Sequence, residues 1–489
     1  MSEPPALLRL GCSPGSLRRI RRHPLLAAAG ARRAAIARPD LTLEDTPGRD
    51  FAAAGWLCLG RRDAGMQRQE TLPVAGQALT AAPPLGAAML PLAEGHAEIA
   101  SLALAGGLQL QAVQMTLTGA GRTAAAAELV LAAPGDPAPE GMARLLALAL
   151  ALAEELPLYW TGAAAPVLMA ADLGLAEPPP LRSGSLPFDL GDRAAAIDAF
   201  TAIARHCLQQ FDCNMQPVLR DRDIEGVHQM RVALRRLRSA FNLFRPVLPA
   251  ALVAPLIDEL RWLNEPLGRK RDLDVFLAET LAPLAARLPD PRGLRHLRTV
   301  LEDRRAAAQA ALESALRSSR ALRLRLGLEA MLLRLPAEIA ASGDAALQAA
   351  AAMPARRFAA RLLEKRARKV KKLGRHHDTL EAEALHRLRI QCKKLRYAVE
   401  FFRPLHGRRA VRRFHAALAE LQDCLGVLND AAVGGALMRD VLGPPGGDPA
   451  AAAVAGWFIG RQEMQLAHLG EAWDAYSRAK PFWKADLND

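Results

Sequence analysis

The stretch His228-Gln-Met-Arg231-Val-Ala-Leu-Arg235-Arg236-Leu-Arg238 is written a second time, 158 residues later, as His386-Arg-Leu-Arg389-Ile-Gln-Cys-Lys393-Lys394-Leu-Arg396. Both copies set a histidine and cations at i, i+3, i+7, i+8 and i+10. At about 100° per residue, the i, i+3, i+7 and i+10 positions fall within about 80° of one helix face. Each copy therefore predicts a helix that presents a histidine and three fixed cations as a row. The apolar residues between them (Val232, Leu234 and Leu237; Ile390 and Leu395) give each helix something to bury.

The shared register continues past the motif. Both copies run on to Phe-Arg-Pro, at Phe244-Arg245-Pro246 and Phe402-Arg403-Pro404, and 8 of the 19 positions from His228 to Pro246 are identical between them. The same offset of 158 aligns Leu267-Gly268 with Leu425-Gly426, Asp272 with Asp430, and Val275 with Val433. These matches point to an internally duplicated helical unit.

A chain of 489 residues accommodates two or three domains with sizeable cores. Its net charge of +13 is unevenly spread: residues 1–185 carry 15 basic and 16 acidic side chains, whereas 186–489 carry 49 and 35. The excess lies wholly in the duplicated part and is densest at 356–413, with 20 basic and 5 acidic residues. Such a field attracts polyanions. The six cysteines, at 12, 58, 207, 213, 392 and 424, lack any paired metal-ligand spacing and read as thiols in a reducing compartment. The longest apolar candidate for a membrane span, 144–160, is broken by Glu154 and Glu155, and the N-terminus lacks the layout of a secretory signal. A cytoplasmic protein with no metal and no cofactor is the expectation.

Residues 163–190 are rich in Ala, Gly and Pro, which places a Pro/Gly/Ser-rich linker at 176–189. From 190 to 440 the pattern is one of long amphipathic helices with proline and glycine at the joints, and it predicts an all-α domain over 190–485 with repeats around 190–335 and 345–485. Residues 1–175 show short alternating or apolar runs at 6–10, 56–61, 98–104, 108–118 and 127–132 and one helical stretch at 141–156. They predict an α+β domain dominated by an antiparallel sheet.

Phosphate oxygens call for dense, fixed positive charge, which arginine supplies in a planar fork. Candidates are His228, Arg231, Arg235, Arg236 and Arg238 on the first motif helix and His386, Arg389, Lys393, Lys394 and Arg396 on the second. Arg271, after the Leu-Gly break, joins them. Arg361, Lys365, Arg368, Lys372 and Arg375 follow i, i+4, i+7, i+11 and i+14 and form a further stripe, with no acidic residue between Lys365 and Arg375. Like charges at these spacings destabilise an isolated helix. Asp272 and Asp430 are expected to orient arginines or cap helices rather than to bind.

The two His-x-x-Arg motifs, Arg271-Asp-Leu-Asp274-Val, Leu425-Gly-Val-Leu-Asn429-Asp430 and the terminal Lys480-Pro-Phe-Trp483 resemble the CHAD family, the conserved histidine α-helical domain, over about 190–485. That resemblance implies two duplicated four-helix bundles related by pseudo-twofold symmetry. It further implies a basic channel between them that binds inorganic polyphosphate, association with polyphosphate granules, and no catalysis by that domain.

The first half is similar to a degenerate CYTH domain, a triphosphate-tunnel-like antiparallel barrel. The similarity rests on Leu7-Leu-Arg-Leu10 with Pro14-Gly-Ser-Leu-Arg-Arg-Ile-Arg-Arg-His-Pro24, Asp45-Thr-Pro47 with Trp56-Leu-Cys-Leu-Gly-Arg-Arg62, and Ala127-Glu128-Leu-Val-Leu131. Enzymes of that family open on alternating glutamates ending in a lysine, which hold a divalent metal against the triphosphate. Here Pro5-Ala-Leu-Leu-Arg-Leu10 supplies none of them, and Glu128 stands alone on the later strand. Arg9, Arg61 and Arg62 are retained bases that could meet phosphate or be remnant surface charge. The expectation is a pseudoenzyme half joined to a non-enzymatic polyphosphate binder. A nucleic-acid-binding protein and a residual inorganic triphosphatase are the rivals. Aromatics at 4%, with three tyrosines, leave few stacking platforms for bases.

Overall fold

The computed structural model describes residues 6–487 apart from 30–34, 48, 54–55, 64–65, 74–88, 135–137, 176–187, 192, 221–222, 289–291, 377–380 and 443–448. The expected linker therefore lies almost wholly outside the described residues, as do the side chains of Asn429, Asp430 and Val433.

The first half is one antiparallel sheet in the order β1-β8-β7-β6-β3-β4-β5. Its strands are β1 (Ala6–Gly11), β2 (Ala35–Ala37, paired with β6), β3 (Asp40–Asp45), β4 (Trp56–Asp63), β5 (Met66–Pro73), β6 (Leu90–Ala103), β7 (Gln109–Gly119) and β8 (Arg122–Ala133). The short helices α1 (Leu17–Arg21), α2 (Pro24–Ala28) and α3 (Asp50–Ala53) lie between strands. Alternation assigns two faces. Leu8 and Leu10 of β1, Leu110 of β7 and Leu129 and Leu131 of β8 pack with Leu145, Leu146, Ala149 and Leu152 of α4 (Ala138–Glu155). The other face carries Leu43, Leu57, Leu59, Leu72 and Met115 together with Val167, Met169 and Ala170 of α5 (Ala165–Asp172). The sheet curls around this second face far enough for Arg9 of β1, at one edge, to reach Glu70 of β5, at the other, at 3.2 Å.

The second half is helical throughout, and the duplication is visible in its element boundaries. The first unit holds α6 (Ala196–Arg220), α7 (Ile224–Leu243), α8 (Ala250–Val275), the short α9 (Ala282–Ala285), α10 (Arg292–Leu316) and α11 (Ser319–Ala341). After α12 (Ala345–Ala352), the second holds α13 (Ala355–Gly374), α14 (Ala382–Phe402), α15 (Arg408–Leu442), α16 (Pro449–Ala467) and α17 (Leu469–Arg478). Shifting α7 by 158 gives 382–401, the span of α14 to within one residue. The 3-10 turn Arg245–Val247 falls on Arg403–Leu405, and the first residue of α8 on that of α15. Helix α10 shifts onto α16 and α17 together, so each unit supplies four corresponding helical segments. Proline is not confined to the joints: Pro217, Pro255, Pro266 and Pro336 lie inside helices, each removing one backbone donor.

One core runs through both units. Among the described residues helix α11 has no counterpart in the second unit, since its shifted start falls at the end of α17. It turns instead to the sheet domain, where Leu322 and Leu326 join the cluster formed with α4. Beside it Trp160 donates from Nε1 to Asp212 Oδ1 at 2.9 Å, and Arg325 pairs with Asp212 at 3.0 Å and Glu329 at 3.1 Å. Among the described residues no helix is long and apolar enough to cross a membrane.

Candidate anion-binding site

Helix α7 opens at Asp223, whose carboxylate accepts the Gly226 amide at 2.5 Å and so fixes the rotation of the helix from its first turn. Its cationic side chains then divide by angle. Arg235 reaches the second motif helix, its guanidinium lying 5.8 Å from the Tyr397 ring centroid. Arg231 crosses to α8, passing over Gly268 to Asp272 at 3.4 Å. A β-carbon at Gly268 would sit 2.6 Å from Arg231 Nη1, so the glycine leaves that guanidinium room to lie across α8. The matching Gly426 has open space above it.

His228, Arg231, Arg235 and Arg271 form one mutually repelling cluster. Burial pushes the His228 imidazole below its usual range; the nearby charge of Arg271, and then of Arg235 and Arg231, pushes the same way, and Glu225 opposes. Arg231 is also lowered by burial, with Asp272 opposing and Arg235 and Arg271 adding to the fall. The described carboxylates that approach these arginines are Asp272 and, at 3.9 Å from Arg271, Glu279. Arg238 stands further along α7, lowered by burial and by Arg261.

Arg236 does not share the row. It is 4% exposed, donates to Gln210 Oε1 at 2.8 Å, and lies 5.5 Å from the Phe401 ring. Gln210 in turn donates to Gln229 Oε1 at 2.9 Å, so this buried network ties α6 to α7 and leaves Arg236 no open face. The neighbouring Lys270 is likewise buried, against Asp274 at 2.5 Å.

On α14, His386 is exposed, Lys393 and Lys394 are half-buried, Arg396 pairs with Glu400 at 3.0 Å, and Arg389 is buried at 7% exposure. The two rows are thus equivalent in sequence but not in exposure. Lys394 is lowered by burial and by Arg366 and Lys369 of α13. Those two residues, which the sequence reading missed, lie close enough to act on Lys394; Arg366 is half-buried, while Lys369 is exposed, as are Arg361, Lys365, Arg368, Lys372 and Arg375. The stripe is not free of acid either, because Glu364, just before its acid-free window, pairs with Arg368 at 2.7 Å. The missed signal was one of angle: residues 366 and 369 lie three apart on a neighbouring face of the same helix.

In the sheet domain Glu128 is alone on β8, but it meets a carboxylate from another strand. Curling brings Glu70 opposite it, and Arg9 bridges the two at 2.7 and 3.2 Å while Arg61 holds Glu70 at 3.1 Å. Glu128 also accepts the Ala165 amide at 3.1 Å. Among the described residues no group of three or more His, Cys, Asp or Glu is arranged to hold a metal ion. The six cysteines are free thiols, and burial pushes Cys12 and Cys392 up to about 12.

A family model for the CHAD domain matches residues 202–439. The crystal structure of the CHAD domain from the plant Ricinus communis is similar at 32% identity and a TM-score of 0.52, covering 62% of this chain and 98% of that one. PptA from Streptomyces chartreusis aligns at 17% identity and a TM-score of 0.39 over 58% of this chain and 99% of that one, too loosely to carry an argument. No curated protein matches.

Proposed function

The chain belongs to the CHAD domain family, and from that membership we propose that it binds inorganic polyphosphate, without chemically converting it, across the two motif helices. The observation that carries the reading is the repelling cluster of His228, Arg231, Arg235 and Arg271, set against Tyr397 of the other unit. The charges of Arg235 and Arg271 disfavour the charged forms of His228 and Arg231, and a polyanion laid among them offsets that repulsion. His386, Lys393, Lys394 and Arg396, with Arg366 and Lys369, extend the positive surface along the second unit. Arg236 and Arg389 serve as buried supports. Exposed Arg361, Lys365, Arg368 and Lys372 form an outer approach.

We read the sheet domain as a triphosphate-tunnel-like relic without turnover. Its concave face is occupied by leucines and α5, and Arg9 stands between Glu128 and Glu70 where a metal-dependent hydrolase would need its cation. Cytoplasmic residence, with association with polyphosphate granules, follows from the same reading.

A competition titration of the full chain tests it: long-chain polyphosphate against single-stranded RNA at matched charge and salt. Polyphosphate should bind tighter, and phosphate release with Mg²⁺ or Mn²⁺ should stay at background. Tighter binding of RNA would overturn the proposed ligand.

A further inference from the structure

We propose that the cavity where α14 gives way to α15 is a second anion site, separate from the motif rows, that takes a small organic phosphate. The cavity, of about 710 Å³, is lined by Arg403, Arg408 and Arg412 together with His406 and His415. That volume falls within the roughly 300–1,000 Å³ typical of small-molecule sites. It opens beside the first residues of α15, where the dipole of a 35-residue helix already favours negative charge.

Three observations point to a ligand. The side chains of Arg403, Arg408 and Arg412 make no hydrogen bond or ion pair among the described residues. Both carboxylates in the lining are already engaged: Glu400 accepts from Arg396 at 3.0 Å and lies 3.5 Å from His415 of the same wall, while Asp189 accepts the Leu190 and Gly191 amides at 2.7 and 3.2 Å. His406, its side chain 3% exposed, sets Nδ1 3.3 Å from Asp486 and leaves Nε2 with no hydrogen-bond partner. A buried imidazole nitrogen without a partner is costly unless something completes it.

The duplication supplies an internal control. Subtracting 158 from His406, Arg408, Arg412 and His415 gives Leu248, Ala250, Ala254 and Ile257, and of the lining cations Arg403 alone keeps its counterpart, Arg245. The repeat folds in the first unit without this cluster, so the cluster is not a requirement of the fold. The rest of the wall, Phe188, Val399, Pro404 and Val411, is apolar. It suits the body of an organic phosphate better than a bare phosphate chain, which has no apolar surface to cover.

The test uses the full chain and two probes carrying the same triphosphate, ATP and inorganic tripolyphosphate, by isothermal titration calorimetry. ATP should bind at one site and tighter than tripolyphosphate. R408A/R412A should weaken ATP at least tenfold and leave long-chain polyphosphate within about twofold. H406Q should weaken ATP several-fold, and R231A/R235A should leave ATP unchanged. Circular dichroism checks that each variant is folded. Absence of ATP binding, equal binding of the two probes, or ATP binding that survives R408A/R412A would each overturn the proposal. Loss of polyphosphate binding alone in R231A/R235A would leave it standing, since the motif rows and this cavity would then fail or hold separately.

Discussion

The rings of Phe244 and Phe402 pack against each other with centroids 5.6 Å apart, and they are the same residue of the repeat in its two copies. Phe200 and Phe358, also 158 apart, complete the group: Phe244 lies 5.6 Å from Phe200 and 4.9 Å from Phe358, and Phe402 lies 6.3 Å from Phe358. The two units therefore meet through the residues that terminate their motif helices, and each unit fills the hole left by the other.

Truncating either central ring should cost about 3–5 kcal/mol, the range for a buried phenylalanine. F244A and F402A together should cost less than the sum of the two, because each single change already opens the shared cavity. Urea unfolding of the two single variants and the double variant measures this, and strict additivity would mean that the rings do not support each other.

Binding of long-chain polyphosphate should weaken steeply with salt. By analogy with nucleic acids, log affinity should fall with log salt by about 0.7–0.9 per phosphate contact. R231A/R235A should flatten that slope with little loss of stability. K393A/K394A should flatten it as well, whereas R389A should act mainly on stability because that side chain is buried.

The pH dependence has a defined sign. His228 sits below its ordinary range through burial and Arg271, so the folded chain takes up its proton less readily than the unfolded chain does. Stability without ligand should therefore fall as pH drops below about 6.5, the ordinary histidine value. Bound polyanion favours the charged imidazole, so affinity should rise over the same interval with uptake of a proton. Calorimetry in two buffers of different ionisation enthalpy reads that proton directly, and H228Q should abolish it.

Arg9 should hold the curled sheet closed. Its replacement by alanine leaves Glu128, 2% exposed, without its guanidinium, a change that costs about 3–5 kcal/mol for a buried pair and less here because Glu70 is more open. R9A should lower the thermal midpoint, and R9A/E128Q should recover most of the loss. Hydrogen exchange should localise the loosening to β1 and β5.

The segment 186–489 expressed alone should remain helical but be less stable than the full chain. Truncation uncovers Leu322 and Leu326 and removes Trp160 from Asp212. Burial already raises the Asp212 carboxyl, against the pull of Arg325 and Trp160. In the full chain R325A should therefore destabilise by about 3–5 kcal/mol, the cost of stranding a buried charge. D212L/R325L should recover part of it. Denaturant midpoints of the four proteins would decide the point.

Read alone, the sequence determined the local and the repeated. A period of 3.6 residues with apolar residues on one face makes α7 and α14 helices wherever they lie, and an offset of 158 carries α7, the turn after it and the start of α8 onto their counterparts in the second unit. Alternation placed the strands β1, β4, β7 and β8 for the same reason. Tertiary structure decided which faces were covered. Arg235 and Arg236 are adjacent and chemically identical, yet one lies over Tyr397 beside the other cations and the other is locked to Gln210, because α6 packs on that side of α7. Arg366 and Lys369, rather than the regular stripe, act on Lys394 because α13 packs beside α14 with that face toward it. Glu70 reaches Arg9 because the sheet curls, and α11 serves the sheet domain because its Leu322 and Leu326 pack into the cluster formed with α4. Periodicity fixes the angle of a side chain about its own helix or strand, whereas its neighbours depend on contacts between segments far apart in the chain, which no local pattern encodes.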